Sequence, residues 1–193
     1  MALLSAEDLK RELLGQAWIE QASVRKIFPD KLQVKIVGRD PAFVLRGMDA
    51  WVLADSRGSL ISASKFLSGR WTGLPRVFGM EERLQGDLDD MERHLTQERA
   101  WLQDLSLLLS KLSSQVLLQP QEVKIIPDSW TGSAMFVLKS SPYEIRLTSG
   151  RWINRLSYLQ YILSDLRAET EPTTFARIEG QYLDKWYVTK GAH

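Results

Sequence analysis

Few side chains in this 193-residue chain could do chemistry. Cysteine is absent, which excludes thiolate nucleophiles, disulfides and cysteine-based metal sites. The two histidines are His94, in a charged segment, and His193, the last residue. A histidine-based acid, base or metal site would therefore need distant carboxylates to converge on one of them. We interpret His94 as a surface residue.

An acidic segment from Glu81 to Glu98 is the second candidate. It holds seven acidic residues and two arginines, a net charge of −5 (2 − 7). Asp87, Asp89 and Asp90 lack the alternating spacing and the central glycine of a calcium loop. We interpret the segment as the solvated face of a helix and predict no metal site. A carboxylate enzyme built on these aspartates is an alternative.

The motifs of common enzymes are missing. The sequence contains no G-x-S-x-G, no G-x-x-x-x-G-K-[ST] and no G-x-G-x-x-G, so the signals of hydrolase elbows and phosphate-binding loops are absent. A formal charge of +1 gives no general attraction for nucleic acid, and the seven tryptophans lack an accompanying basic cluster. We expect no catalysis, cofactor, small-molecule substrate or nucleic-acid partner, and we assign the tryptophans to core packing or partner contact.

The first forty residues predict a helix followed by two strands. Ser5 is an N-cap with acidic residues in the first turn, and Gly15 is the predicted stop. From 21 to 39 apolar residues alternate with polar ones, and Pro29-Asp30 is the predicted turn between two strands. The stretch from Met1 to Glu20 is too charged for a signal peptide or a membrane span.

Further strands and two helical stretches follow. We predict strands over 42–46, 51–54, 59–62, 123–126, 134–139 and 144–148, and one or two closing strands over 175–188. The stretch 65–77 has no clear period and is predicted to be a loop. Apolar residues at helical spacing run from Leu84 to Leu112, with a possible break at Gly86 or Glu98, and again from Ile153 to Leu166.

The leucine pattern of the first helical stretch has two explanations. A heptad is typical of a coiled coil, but in a chain with many strands it favours a helix that lies on a sheet. We adopt the second. The elements together predict an α+β fold with segregated helices and a mostly antiparallel sheet.

One dense motif resembles a known family. The run from Trp18 to Ala42 is WIEQASVRKIFPDKLQVKIVGRDPA, which is similar to the bacterial division proteins FtsQ/DivIB. Looser similarity follows at 52–58, at the L-P-R-V-F-G of 74–79, and at 178–182, where the family has a final I-D-L-R-[YF] strand. Here Gly180 and Gln181 depart from that pattern.

The resemblance implies a partial POTRA unit over 1–40, lacking its first strand, and a mostly antiparallel β domain with two or three helices over 41–193. It also implies a non-catalytic scaffold of the divisome whose last strand pairs with a strand of an FtsB/FtsL-type partner. By position, the partner-binding residues are Tyr182, Trp186, Tyr187 and Val188, although these residues would alternatively close the core.

Members of the family are single-pass proteins of the inner membrane, so the resemblance implies that this region lies on the periplasmic side at the division septum. By resemblance, we expect the membrane span upstream of the given sequence. A POTRA-type chaperone or secretion module that binds extended peptides is the alternative function.

Overall fold

The N-terminal helix and hairpin form as the sequence predicts in the computed structural model, which describes residues 5–65, 69–116, 118–169, 175–180 and 185–191. Helix α1 (Ala6–Leu14) begins where the Ser5 hydroxyl accepts a hydrogen bond from the Asp8 amide, and it ends at Gly15. Strands β1 (Ile19–Ile27) and β2 (Lys31–Gly38) pair antiparallel as a separate two-stranded sheet. All eight residues of β2 are exposed, so this small unit leaves apolar side chains in contact with solvent.

The rest of the chain builds a nine-stranded sheet. Its order is β11-β10-β9-β8-β7-β6-β3-β4-β5. The β3–β6, β6–β7 and β9–β10 pairs are parallel, and the other five pairs are antiparallel. The strands are β3 (Pro41–Arg46), β4 (Trp51–Asp55), β5 (Leu60–Ser64), β6 (Arg76–Phe78), β7 (Glu122–Pro127), β8 (Ala134–Ser140), β9 (Tyr143–Thr148), β10 (Phe175–Glu179) and β11 (Tyr187–Gly191).

Three helices cover one face of this sheet: α2 (Leu88–His94), α3 (Glu98–Lys111) and α4 (Leu156–Glu169). Alternate strand residues such as Phe43, Phe136 and Ile178 pack with helix residues such as Leu105 and Leu159 in one hydrophobic cluster. We call this face of the sheet the core face and the opposite one the open face. The predicted α+β class, with segregated helices and a mostly antiparallel sheet, is confirmed. No helix in the described ranges is long and apolar enough to cross a bilayer.

In the middle of the chain, one detail differs from the sequence prediction and one agrees with it. The stretch 65–77 is not all loop, because β6 begins at Arg76 and lies in the centre of the sheet. A three-residue strand with one buried side chain, Val77, is too short to show alternation.

The leucine pattern is divided at the predicted break before Glu98, and α3 continues into a π-helical turn over Leu112–Val116. The interpretation of a helix on a sheet is confirmed.

Asp55 joins the N-terminal unit to the large sheet. This side chain is 7% exposed and accepts hydrogen bonds from the Arg39 guanidinium and from the amides of Arg57 and Ser59, all at 2.9 Å. Arg57 also pairs with Glu20 of β1 at 3.1 Å. Asp55 therefore stabilises the turn after β4 through two backbone amides and, through Arg39, connects this turn to the end of the N-terminal hairpin.

Gly79 allows β6 to approach β7. Its φ is +93°, a left-handed conformation that favours glycine, and an added Cβ would lie 2.0 Å from the carbonyl oxygen of Ile125. Because that neighbour is backbone, a side chain at this position would push two central strands apart.

We therefore expect Gly79→Ala to lower the free energy of unfolding by about 3 kcal/mol or more, since strain and a backbone clash add at one position. Urea denaturation followed by circular dichroism measures this loss. Gly73→Ala is the matched control, because no atom lies within 4 Å of its added Cβ. Equal midpoints for the two variants would refute the steric argument.

Candidate interaction surface

The C-terminal strand β11 is the outermost strand at one end of the large sheet. Two of its apolar side chains are exposed, Tyr187 at 48% and Val188 at 40%. Directly opposed residues share a face, and Val188 is opposite the buried Ile178 whereas Tyr187 is opposite Glu179. Val188 thus stands on the core face and Tyr187 on the open face.

The backbone of β11 alternates in the same way. The amides of Ala176 and Gly180 donate toward β9, to Pro142 and Arg146, so the odd-numbered residues of β10 turn their backbone groups toward β11. Their opposed residues, Tyr187, Thr189 and Gly191, bond inward. It follows that the N–H and C=O of Val188 point away from β10, along the outer edge of the sheet.

Trp186 contributes to packing. Its ring lies over Gly180, where an added Cβ would come within 2.5 Å of it, and it packs against the hydrophobic cluster. The Arg155 guanidinium lies 6.0 Å from the ring centroid and donates to the Gly180 carbonyl at 2.8 Å. Gly180, one of the two residues that depart from the family pattern, thus leaves the space that the Trp186 ring occupies. Tyr182 lies outside the described residues.

An ion network occupies the open face beside this edge. Glu144 of β9, only 13% exposed, accepts from Arg146 at 3.0 Å and from Arg177 of β10 at 2.9 Å. Arg146 reaches Glu179 at 3.5 Å. Through these four residues, ion pairs connect β10, the second strand from the edge, to β9. Sequence reasoning missed the network, although the alternation of charged with apolar residues in β9 and β10 was its signal.

A second feature that sequence reasoning missed is the loop between β7 and β8, residues 128–133, which we call the Trp130 loop. Trp130 is 94% exposed. The Asp128 carboxylate accepts from the Trp130 amide at 3.0 Å and from the Thr131 hydroxyl at 2.7 Å. The Gly132 carbonyl accepts from Gln97 Nε2 at 2.7 Å and from Trp101 Nε1 at 3.2 Å, both on or next to α3. This loop is therefore held at its base and at its side.

The other candidate residues have local roles. His94 is exposed, as predicted. Asp87 caps α2 by accepting from the Asp90 amide, and Asp90 pairs with Arg93. In the part of the chain that the structure describes, no group of three or more histidine or acidic side chains is arranged to hold a metal ion.

Comparison with known proteins supports the resemblance. Residues 1–39 match the model of the family described as POTRA domain, FtsQ-type. Over 197 aligned residues the chain is 25% identical to the cell division protein FtsQ of Anaeromyxobacter sp. (strain K). The match covers 100% of this chain and 62% of that relative, so the chain spans less than two thirds of its length. The predicted resemblance to FtsQ/DivIB is confirmed.

The ion network generates a stability prediction. Glu144→Gln removes the charge shared by Arg146 and Arg177 and leaves Arg146 only its longer pair with Glu179, so we expect a loss of about 1–2 kcal/mol in the free energy of unfolding. Glu122→Gln is the control, because its pair with Arg76 is more exposed and should contribute less than about 0.5 kcal/mol. Thermal and urea unfolding compare the two. A Glu122 effect as large as that of Glu144 would contradict this ranking.

The Trp130 loop generates a pH prediction. The Thr131 hydroxyl and the Trp130 amide hold the pKa of Asp128 below its ordinary value of 3.8. A lowered folded-state pKa means that the contribution is complete above the ordinary value and is lost as pH falls through the lowered one. We expect the loop to loosen as pH falls from 3.8 through the lowered pKa of Asp128, measured by amide exchange at Trp130 and Thr131. In Asp128→Asn this pH step should disappear, and its persistence would assign the step to another group.

Proposed function

We propose that this chain is a non-catalytic scaffold of the bacterial division machinery that binds other division proteins by strand addition at β11. One observation carries the proposal: in a chain similar to FtsQ, β11 is the outermost strand of the large sheet and exposes Tyr187 and Val188. An incoming extended segment would extend the nine-stranded sheet by one strand, with backbone hydrogen bonds supplying affinity.

The side chains of β11 supply the specificity in this proposal. Val188 would contact partner residues that continue the core face, and Tyr187 those that continue the open face beside Glu179. Trp186, packed over Gly180, fixes the start of β11 and acts mainly through the position of that strand. Tyr182 stays a candidate contact by resemblance alone.

The partner class and the location follow from the resemblance. We propose an FtsB/FtsL-type division protein as the partner. We also propose that residues 41–193, after a POTRA-like unit of residues 1–40, carry the binding edge on the periplasmic side of the inner membrane at the septum. In this proposal, a single upstream membrane span would anchor this region to the inner membrane.

A second candidate is a POTRA-type module that binds extended peptides without division-specific selectivity. The exposed strand β2 favours it, because its residues Leu32, Val34 and Ile36 are 48%, 40% and 42% exposed beside an outer edge. In that case peptides of many sequences would bind at β2, and β11 would be unaffected.

The test is Val188→Pro with an FtsB-type periplasmic fragment from the same bacterium. Proline removes an N–H that points away from β10, a substitution that edge strands tolerate, so the fold should remain. We expect the affinity, measured by calorimetry, to fall about tenfold or more, since at least one strand hydrogen bond is lost and the ring obstructs the edge.

Ala63→Pro is the matched control. By the same alternation, the amide of Ala63 points away from β4 at the opposite edge of the sheet. Circular dichroism verifies both folds, and binding by Ala63→Pro should equal that of the unmodified chain. Unchanged binding by Val188→Pro would refute strand addition at β11, and loss confined to variants of β2 would favour the peptide-binding module.

A further inference from the structure

The Trp130 loop is a second surface, separate from the β11 edge. It connects β7 and β8, and β9 and β10 lie between these strands and β11. With neighbouring strands about 4.8 Å apart, the loop is roughly 14–19 Å from the edge strand. A ligand on the loop and a strand added at β11 would therefore occupy different parts of the molecule.

An exposed tryptophan on a fixed loop has the properties of an interface anchor. A large aromatic side chain gains more from leaving water than almost any other residue, and tryptophan is enriched among the residues that dominate binding energy. Asp128, Gln97 and Trp101 already order the backbone around Trp130. Binding would consequently cost little additional ordering of the loop.

Two hollows flank the loop, and Pro127, Asp128 and Ser129 line both of them. The hollow on the Trp130 side is lined by apolar residues, among them Ile126, Pro127 and Met135, together with polar residues of the loop. The hollow on the helix side, about 520 Å³, is bordered by four carboxylates and one arginine: Glu81, Glu82, Glu98, Asp128 and Arg83. Arg83 is already paired with Glu98 at 3.1 Å, so the remaining carboxylates leave this side negative.

We propose that the Trp130 loop docks a basic segment of a partner protein, with an apolar side chain against Trp130 and Ile126 and a lysine or arginine directed into the acidic hollow. The charge of that hollow selects the occupant, because it favours cationic side chains and repels acidic peptides, nucleic acid and anionic lipid. The face of the tryptophan ring adds attraction for a cation. The exposed aromatic residue is the anchor, and the carboxylates determine which segment binds.

Synthetic peptides test this proposal. The probe is a twelve-residue peptide of alternating lysine and leucine separated by serine, and its comparison peptides replace lysine by glutamate or leucine by serine. Titrations follow the indole N–H signal of Trp130 by NMR. We expect the lysine–leucine peptide to shift this signal and to bind more weakly as salt is raised. Equal binding of the glutamate peptide, or no shift at millimolar peptide, would overturn the proposal.

Three variants locate the contact. Trp130→Ala should weaken peptide binding by about tenfold or more. Gln97→Ala removes the clamp on Gly132 without changing charge and should weaken binding by a smaller factor, because only the order of the loop is lost. Tyr161→Ala is the control, since Tyr161 is likewise an exposed aromatic residue, on α4. Equal losses for Tyr161→Ala and Trp130→Ala would overturn the assignment.

The same samples test another occupant. If sedimentation shows a dimer of this chain that Trp130→Ala dissociates, the loop binds a second copy and the proposal is wrong. Val188→Pro should leave peptide binding at Trp130 unchanged. The failure of this inference is thereby distinguishable from the failure of strand addition at β11.

Discussion

Burial of one face of a nine-stranded sheet is the constraint on which the rest of this structure depends. Leucine-rich faces of α3 and α4 and the alternate residues of the strands exclude water together, and no other contact in the described ranges buries a comparable set of large apolar side chains. All three covering helices lie on the same face. The exposed parts of the opposite face, the two sheet edges and the loops are consequently the places where other molecules have access, although Val44 on that face is itself buried.

The two edges differ in how they are finished. At β5, the Glu92 carboxylate of α2 accepts from the Leu60 amide at 2.6 Å and also pairs with Arg99, so helices hold the beginning of that strand. At β11, the exposed residues Tyr187 and Val188 follow Trp186, which is partly buried and packs against the core. Strand β11 is thus attached to the core through Trp186 and exposes apolar side chains at the edge of the sheet. The proposed strand pairing with another chain requires such an arrangement.

Much of the local structure could be predicted from the sequence because its signals are local. Ser5 caps its own helix, Pro29-Asp30 turns its own hairpin, and the periodic leucines cover the face that they predict. The order of the strands could not be predicted in this way, because β6 carries one buried residue and owes its central place to Gly79 and Ile125, which are distant in sequence. The Trp130 loop escaped notice for the same reason, since Gln97 and Trp101 of another element hold it.

The parallel pairing of β10 with β9 has a consequence for the order in which the domain assembles. Parallel neighbours need a crossover, and here α4 carries the chain across the sheet between them. Strand β11 pairs with β10 alone, so it joins the sheet together with β10 or after it, and β10 follows the crossover helix in the chain. Among the described strands β11 comes last in the chain, so the edge proposed for partner binding is completed only once β10 and the crossover helix have been synthesised.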